Sequence, residues 1–248
     1  MDQQKIRILA CGMLLTGLCA LGGTGFAQLQ PTTAAEAAHH VVEQEMQSYV
    51  PGQVVYAQKG LVVRSRVIRE GNLILHYPQV RVVGKQEVSR KISRYFEKQA
   101  NVSRENYDRA NTMEEKLTSR VDYQVSYHGE RYLSFQTYGY DYIERAAHPT
   151  SWELGKTFDL QTGELVPWQQ KVIGLKMRNH FTLDKINEAL WNTEYGKGGY
   201  FFQDFKGLEK LPENYYLDEG GKIHFVFGQY EIAPYAVGII DLNMGLGV

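Results

Sequence analysis

Residues 121–142 read VDYQVSYHGERYLSFQTYGYDY, and this stretch decides the fold. Side chains alternate between the two faces of a strand, so Val121, Tyr123, Val125 and Tyr127 share one face, with Asp122, Gln124 and Ser126 on the other. His128-Gly129-Glu130 is a turn signal, and Tyr132 to Tyr142 returns as a second strand, which makes an antiparallel hairpin. On that second strand Leu133 and Phe135 share one parity, and Tyr132, Tyr138, Tyr140 and Tyr142 share the other. If the aliphatic and phenyl groups enter the core, the tyrosine row faces away from it.

Towards the N-terminus, Leu61 to Ile68 and Leu73 to Tyr77 are strand-like around the Glu70-Gly71-Asn72 turn, and Pro78 interrupts the pattern. Val88, Ile92, Tyr95 and Phe96 then recur at helical spacing, which predicts an amphipathic helix over 86–99. The polar stretch to Lys116 continues in helical composition. Ala34 to Tyr49 is also rich in helix formers, with Thr33 as a cap and Pro51-Gly52 as its stop. Towards the C-terminus, Thr157 to Leu160 reads as a short strand before the turn Gln161–Glu164. Ile173, Met177, Phe181, Ile186 and Leu190 mark one helix over 173–191. Residues 193–214 read as loop. Residues 215–217, 223–230 and 237–244 close the chain as strands, separated by Asp218-Glu219-Gly220-Gly221 and Ala233-Pro234. The expected fold is α+β, with antiparallel sheets each covered by a helix. Apolar periodicity is weakest near 105–118, so two small subdomains in tandem are expected, at 54–115 and 116–248.

The first residues read as an address. Lys5 and Arg7 precede an apolar run from Ile8 to Leu21, and Gly22, Gly23, Thr24 and Gly25 lead to Phe26-Ala27-Gln28. This is the pattern of a secretory signal peptide cut after Ala27. The run is shorter than the roughly 20 residues a spanning helix needs, which argues against a permanent anchor. A linker and the first helix would then occupy 28–53. Cys11 and Cys19 both fall within the signal, so the expected mature chain has no thiol. Core packing, not disulfides, must hold it together, and cysteine catalysis or a cysteine zinc site is excluded. Periplasmic or extracellular residence is expected.

The chain carries 27 basic and 28 acidic residues. Nucleic acid as a partner is therefore not expected, because phosphate binding leaves a basic footprint. No phosphate-binding glycine loop and no G-x-S-x-G elbow is present. His39-His40 project about 100° apart on a helix and do not chelate one ion together. His148, near Asp141 and Glu144, is a candidate acid–base or metal cluster, but no second histidine stands at ligand spacing. No cofactor and no metal is expected. The aromatic content is more informative: all 17 tyrosines lie beyond the signal segment. Tyrosine offers a large apolar body and a hydroxyl at low entropy cost, which suits a protein or glycan contact surface.

Three stretches carry a family resemblance. Tyr140-Asp141-Tyr142 runs into Ala147-His148-Pro149 and then Lys156 to Gly163 (KTFDLQTG). Phe225-Val226-Phe227 is followed by Tyr230 to Gly238 (YEIAPYAVG). Tyr77-Pro78-Gln79-Val80 precedes the Val88/Ile92 helix. Together they resemble the exported tandem of two domains of unknown function in RsiV-like anti-sigma factors, membrane sensors of lysozyme. The N-terminal member of that tandem also precedes the catalytic domain of some peptidoglycan deacetylases. The resemblance implies an α+β ectodomain that binds a protein ligand. Two departures stand out. About seven residues precede the apolar segment, too few for a sigma-binding domain, and no hydrolase domain is expected after Val248. The family's Gly-Gly-Ala-His pattern is here Arg145-Ala146-Ala147-His148, so the glycine freedom of that loop is lost.

The expected function is that of an exported, non-catalytic binding or sensor protein of the cell envelope. Its ligand is a protein, lysozyme among the candidates, or peptidoglycan. Tyr138, Tyr140, Tyr142, His148, Tyr230 and Glu231 are the candidate contact residues. The alternative is a cell-wall hydrolase or deacetylase using His148 and nearby carboxylates.

Overall fold

The computed structural model describes residues 50–112, 116–172 and 174–248. The expected signal segment with both cysteines, the expected helix 34–49 and His39-His40 lie outside the described residues. Six strands form one sheet in chain order: β1 (Val54–Gln58), β2 (Leu61–Glu70), β3 (Leu73–Val82), β4 (Leu117–His128), β5 (Tyr132–Ile143) and β6 (Thr150–Asp159). A long helix, α1 (Gln86–Thr112), connects β3 to β4. A second sheet holds β7 (Tyr215–Leu217), β8 (Lys222–Phe227) and β9 (Ile240–Gly247). The fold is thus mixed α+β, as the alternation and helical spacing predict.

The 121–142 hairpin forms, with Val121 opposite Gly139 and Val125 opposite Phe135. A bulge then intervenes, and Tyr127 comes to lie opposite Ser134. The extra residue turns Tyr127 out of the face shared by Val121, Tyr123 and Val125. It packs instead against the C-terminal core.

The sheet is antiparallel except between β3 and β4, which run parallel over Leu73–Leu75 and Ser119–Val121. Strands β1–β3 precede residue 115 and β4–β6 follow it, so the large sheet draws on both expected subdomains. Beyond Leu75 the edge of β3 is left to α1. There Ser93 Oγ accepts from Val80 N at 2.9 Å, and Ser89 Oγ accepts from Val82 N at 2.8 Å. The two serines stand one helical turn apart, which matches two residues along a strand. Pro78 does not interrupt the strand, contrary to the sequence expectation. Its partner Ser65 bonds through its own N–H and C=O to Gln53 and Gly52, away from β3. The missing proline donor therefore falls on the edge away from β2, where strands tolerate proline.

Helix α1 buries Val88, Ile92, Phe96 and Ala100, a repeat of four that makes one stripe. It runs on from the amphipathic part through the polar stretch to Thr112, as that composition suggests, and its second half has tertiary anchors. Tyr107 accepts from Asn72 N at 2.9 Å in the β2–β3 turn, and Arg104 pairs with Glu70 at 2.8 Å. Under the stripe lie Leu133, Phe135 and Phe158, all fully buried.

The other side of β5 and β6 meets the small sheet. Ser134 Oγ accepts from Leu217 N at 3.0 Å and contacts Thr157 Oγ1 at 2.9 Å. A Cβ at Gly155 would sit 1.8 Å from the Tyr215 carbonyl oxygen, so only glycine lets the two backbones approach. This second core contains Tyr132, Trp168, Phe181, Ile186, Leu190, Phe225 and Ile232. The single helix expected over 173–191 is broken. A 3-10 segment spans Leu175–His180, and α2 (Leu183–Trp191) begins anew after Thr182. The Thr182 hydroxyl accepts from Lys185 N at 3.3 Å and caps the new helix. Residues 193–214 are irregular apart from the short α3 (Glu194–Lys197). The segment 237–244 is strand only from Ile240, since Tyr235–Val237 form a 3-10 turn.

Candidate functional site

The structure brings His148 and Tyr230 together from segments 82 residues apart. His148 follows β5 on a loop, and Tyr230 and Tyr235 follow β8. The His148 ring stacks on Tyr235 with centroids 3.8 Å apart, and the Tyr230 ring is 5.8 Å from that of Tyr235. His148 Nδ1 lies 3.1 Å from the Pro149 carbonyl oxygen, which only accepts, so Nδ1 donates. In the neutral ring Nε2 then accepts from the Tyr230 hydroxyl at 3.1 Å.

Both loops hold unusual backbone to achieve this. Tyr230 has φ 64° and Arg145 has φ 73°, left-handed conformations that disfavour residues with a Cβ. Gln229 Oε1 accepts from Ser151 N at 2.9 Å, which ties the Tyr230 loop to the start of β6. Ile232 is buried and plugs the second core, and Gly238 at φ 78° ends the 3-10 turn.

His148 lines a cavity of about 410 Å³ between the C-terminal half of α1 and the sheet. Asp141 lines the same cavity, and its carboxylate is fully engaged. Oδ1 accepts from Ser119 Oγ at 2.6 Å, and Oδ2 accepts from Trp152 Nε1 at 3.1 Å. Glu144 is turned to Lys116, 3.4 Å away. Among the described residues no group of three His, Asp or Glu is placed to hold a metal ion. The remaining expected contact residues are spread out. Tyr138, Tyr140 and Tyr142 are half-buried on the sheet face opposite Asp141 and α1. Tyr132, the first of that row, is buried in the second core. Glu231 turns back to its own loop and accepts from Gly228 N at 2.8 Å.

A second polar cluster joins residues that sequence reading does not single out. His224 Nδ1 lies 2.7 Å from Asp241 Oδ1, and its Nε2 lies 3.3 Å from Asp218 Oδ2. Tyr216 donates to Asp241 at 2.5 Å and stacks on the His224 ring at 4.7 Å. Burial alone would depress the imidazole pKa, but the bonds and charges of Asp241 and Asp218 outweigh it and hold it above the usual value. Burial and Asp241 push the Tyr216 phenol far up, so it stays a donor. Nearby Glu153 is largely desolvated, which raises its pKa, although Gln136 donates to it at 2.7 Å. The four residues of the cluster come from three strands and a turn, and only pairing brings them together.

Comparisons with known proteins extend over this architecture. The model of DUF3298, a protein family of unknown function, matches residues 173–245. A DUF3298-family crystal structure from Bacteroides fragilis superposes with a TM-score of 0.57 at 15% identity, covering 74% of this chain and 89% of its own. A DUF3298-family structure from Pseudomonas aeruginosa gives a TM-score of 0.48 at 10% identity, covering 74% and 88%. No curated protein matches the chain. At such identity the Bacteroides likeness concerns the fold alone. Residues 173–245, which supply α2, the small sheet, Tyr230 and His224, carry the DUF3298 match.

Proposed function

We propose that this protein is an exported, non-catalytic binding module of the bacterial cell envelope that recognises a protein ligand, lysozyme among the candidates, or cell-wall glycan. The observation that carries the reading is the stack of the cavity-lining His148 with Tyr230 and Tyr235. It is assembled from two loops at the cost of left-handed backbone at Arg145 and Tyr230. Strain of this kind persists where the surroundings over-determine a useful geometry. Tyr230 is 55% exposed, so a large aromatic surface with a hydroxyl is offered to a partner. Both ring nitrogens of His148 and both oxygens of Asp141 are already bonded, which favours display over proton transfer. The signal-peptide pattern and the resemblance to lysozyme-sensing ectodomains supply the compartment and the ligand class.

The rival reading, a hydrolase or deacetylase, draws on Asp141 and His148 sharing one cavity. Calorimetric titration of the purified protein with lysozyme and with soluble peptidoglycan fragments tests the proposal. Binding to one of them, weakened at least about tenfold in Tyr230→Ala, is the expected result. Absence of binding to both removes this form of the reading.

A further inference from the structure

The face of the sheet under α1 carries a second, smaller cavity of about 190 Å³. It goes beyond the proposed contact surface and does not depend on it. Tyr77, Tyr95, Tyr123 and Trp152 contribute to its walls, and Leu154 and Lys156 come from β6. The β6 residues that point toward α1 alternate as Trp152, Leu154, Lys156 and Phe158. A lysine therefore occupies a register position where the pattern demands an apolar side chain.

Lys156 is half-buried, and desolvation lowers its pKa. It has no ion-pair or hydrogen-bond partner among the described residues, and no carboxylate lines the cavity. Thr137 Oγ1, also in the lining, is buried without a hydrogen-bond partner. An uncompensated cation costs folding free energy, so a strand would do better with leucine or methionine at 156 on stability grounds alone. Other half-buried cations in the fold have partners: Lys91 pairs with Glu164 at 2.5 Å, and Arg120 donates to the Ser119 carbonyl at 3.0 Å.

We infer that this cavity is a binding site for a small apolar carboxylate, whose anionic group meets Lys156 and whose aryl or alkyl body lies against the tyrosine and tryptophan rings. Charge complementarity selects the anion, because the lining offers one unpaired cation and no acid. The carboxylate supplies the acceptor that Lys156 lacks, and a charge-assisted bond in a desolvated setting is among the stronger polar contacts. The ring walls exclude a strongly hydrated polyanion, since they give it nothing in exchange for its water. The volume limits the apolar body to about one aromatic ring or a short chain.

The probes are phenylacetate, hexanoate and, as the uncharged isostere, phenylacetamide, titrated into the protein with side-chain NMR of the tyrosine and tryptophan rings as readout. At least one acid is expected to saturate below about 10 mM and shift ring resonances, with phenylacetamide weaker by about tenfold or more. Lys156→Met is expected to abolish that preference for the acid while keeping the fold, with a melting temperature equal to or above that of the unsubstituted protein. Lys156→Arg is expected to retain it. Equal affinity for phenylacetate and phenylacetamide, unchanged acid binding in Lys156→Met, or no saturation by either acid overturns the inference.

Discussion

Two histidines of this molecule, His224 on β8 and His148 on the loop after β5, are held in opposite ways. His224 is clamped between Asp218 and Asp241 on regular strand and turn, under the cover of Tyr216. His148 is held by neutral partners, a carbonyl, a phenol and an aromatic face, on strained loops beside a cavity. Carboxylates fix the first ring as a charge within a structural network. Aromatics fix the second as a surface. The contrast teaches that a histidine near acids is not by itself a functional site. Asp241 ties His224 of β8 to β9, whereas the stack at His148 is built on left-handed backbone, the feature on which the proposed display rests.

The largest expected effect tests whether the His224 corner depends on the joint between the sheets. Gly155→Ala forces a methyl against the Tyr215 backbone, and backbone cannot yield cheaply. A loss of about 3 kcal/mol or more in denaturant unfolding is expected. Next comes the seam on the other side. Ser89→Ala or Ser93→Ala strands the N–H of Val82 or Val80, and a loss of about 1–2 kcal/mol each is expected from the same assay.

The two histidines are separated more finely by pH. His224 has a raised folded-state pKa, so its stabilising contribution is complete below the ordinary value of 6.5 and is lost as pH rises through the folded value. Glu153, also raised, acts in the same sense from its ordinary 4.5 upward. The part of the unfolding free energy that these two groups supply should therefore decline as pH rises, from 4.5 upward for Glu153 and from 6.5 upward for His224. His224→Gln should flatten the part of the profile above pH 6.5, and Glu153→Gln the lower part. An unchanged profile in His224→Gln would remove the clamp from the account. The smallest effect on stability is expected at the display site. Tyr230→Gly relieves left-handed strain but frees the unfolded chain, so stability should change by less than about 1 kcal/mol. Ligand binding should nevertheless fall about tenfold, because the exposed ring is gone. A variant that unfolds but still binds would invert the comparison.

Much of this architecture can be read from local pattern, and the places where reading fails have physical causes. The hairpin 121–142 is legible because its alternation is long and its turn clear, yet the bulge that reverses Tyr127 leaves no trace in the residue types. Pro78 misleads because a missing N–H matters only on a paired edge, and pairing is a tertiary fact. The first half of β6 is hidden because Gly155 and Lys156 break its alternation. One serves a close backbone approach and the other faces the small cavity. The start of α2 has a readable signal in Thr182 ahead of Asp184 that the apolar stripe overrides. His148 and Tyr230 are legible as residues, and their stacking on Tyr235 is not. The His224 cluster lies in no motif, since its members meet only when β7, β8 and β9 pair.

The central claim is that the His148 surface binds without making or breaking bonds. The most direct test incubates the purified protein with insoluble peptidoglycan, with and without lysozyme, and measures in one sample the bound protein and any release of reducing ends or acetate by the protein itself. The account expects retention of the protein on the wall polymer or on lysozyme, lost in a His148→Ala/Tyr230→Ala double variant, with product at the level of the buffer control. Product release that disappears with His148 would contradict it.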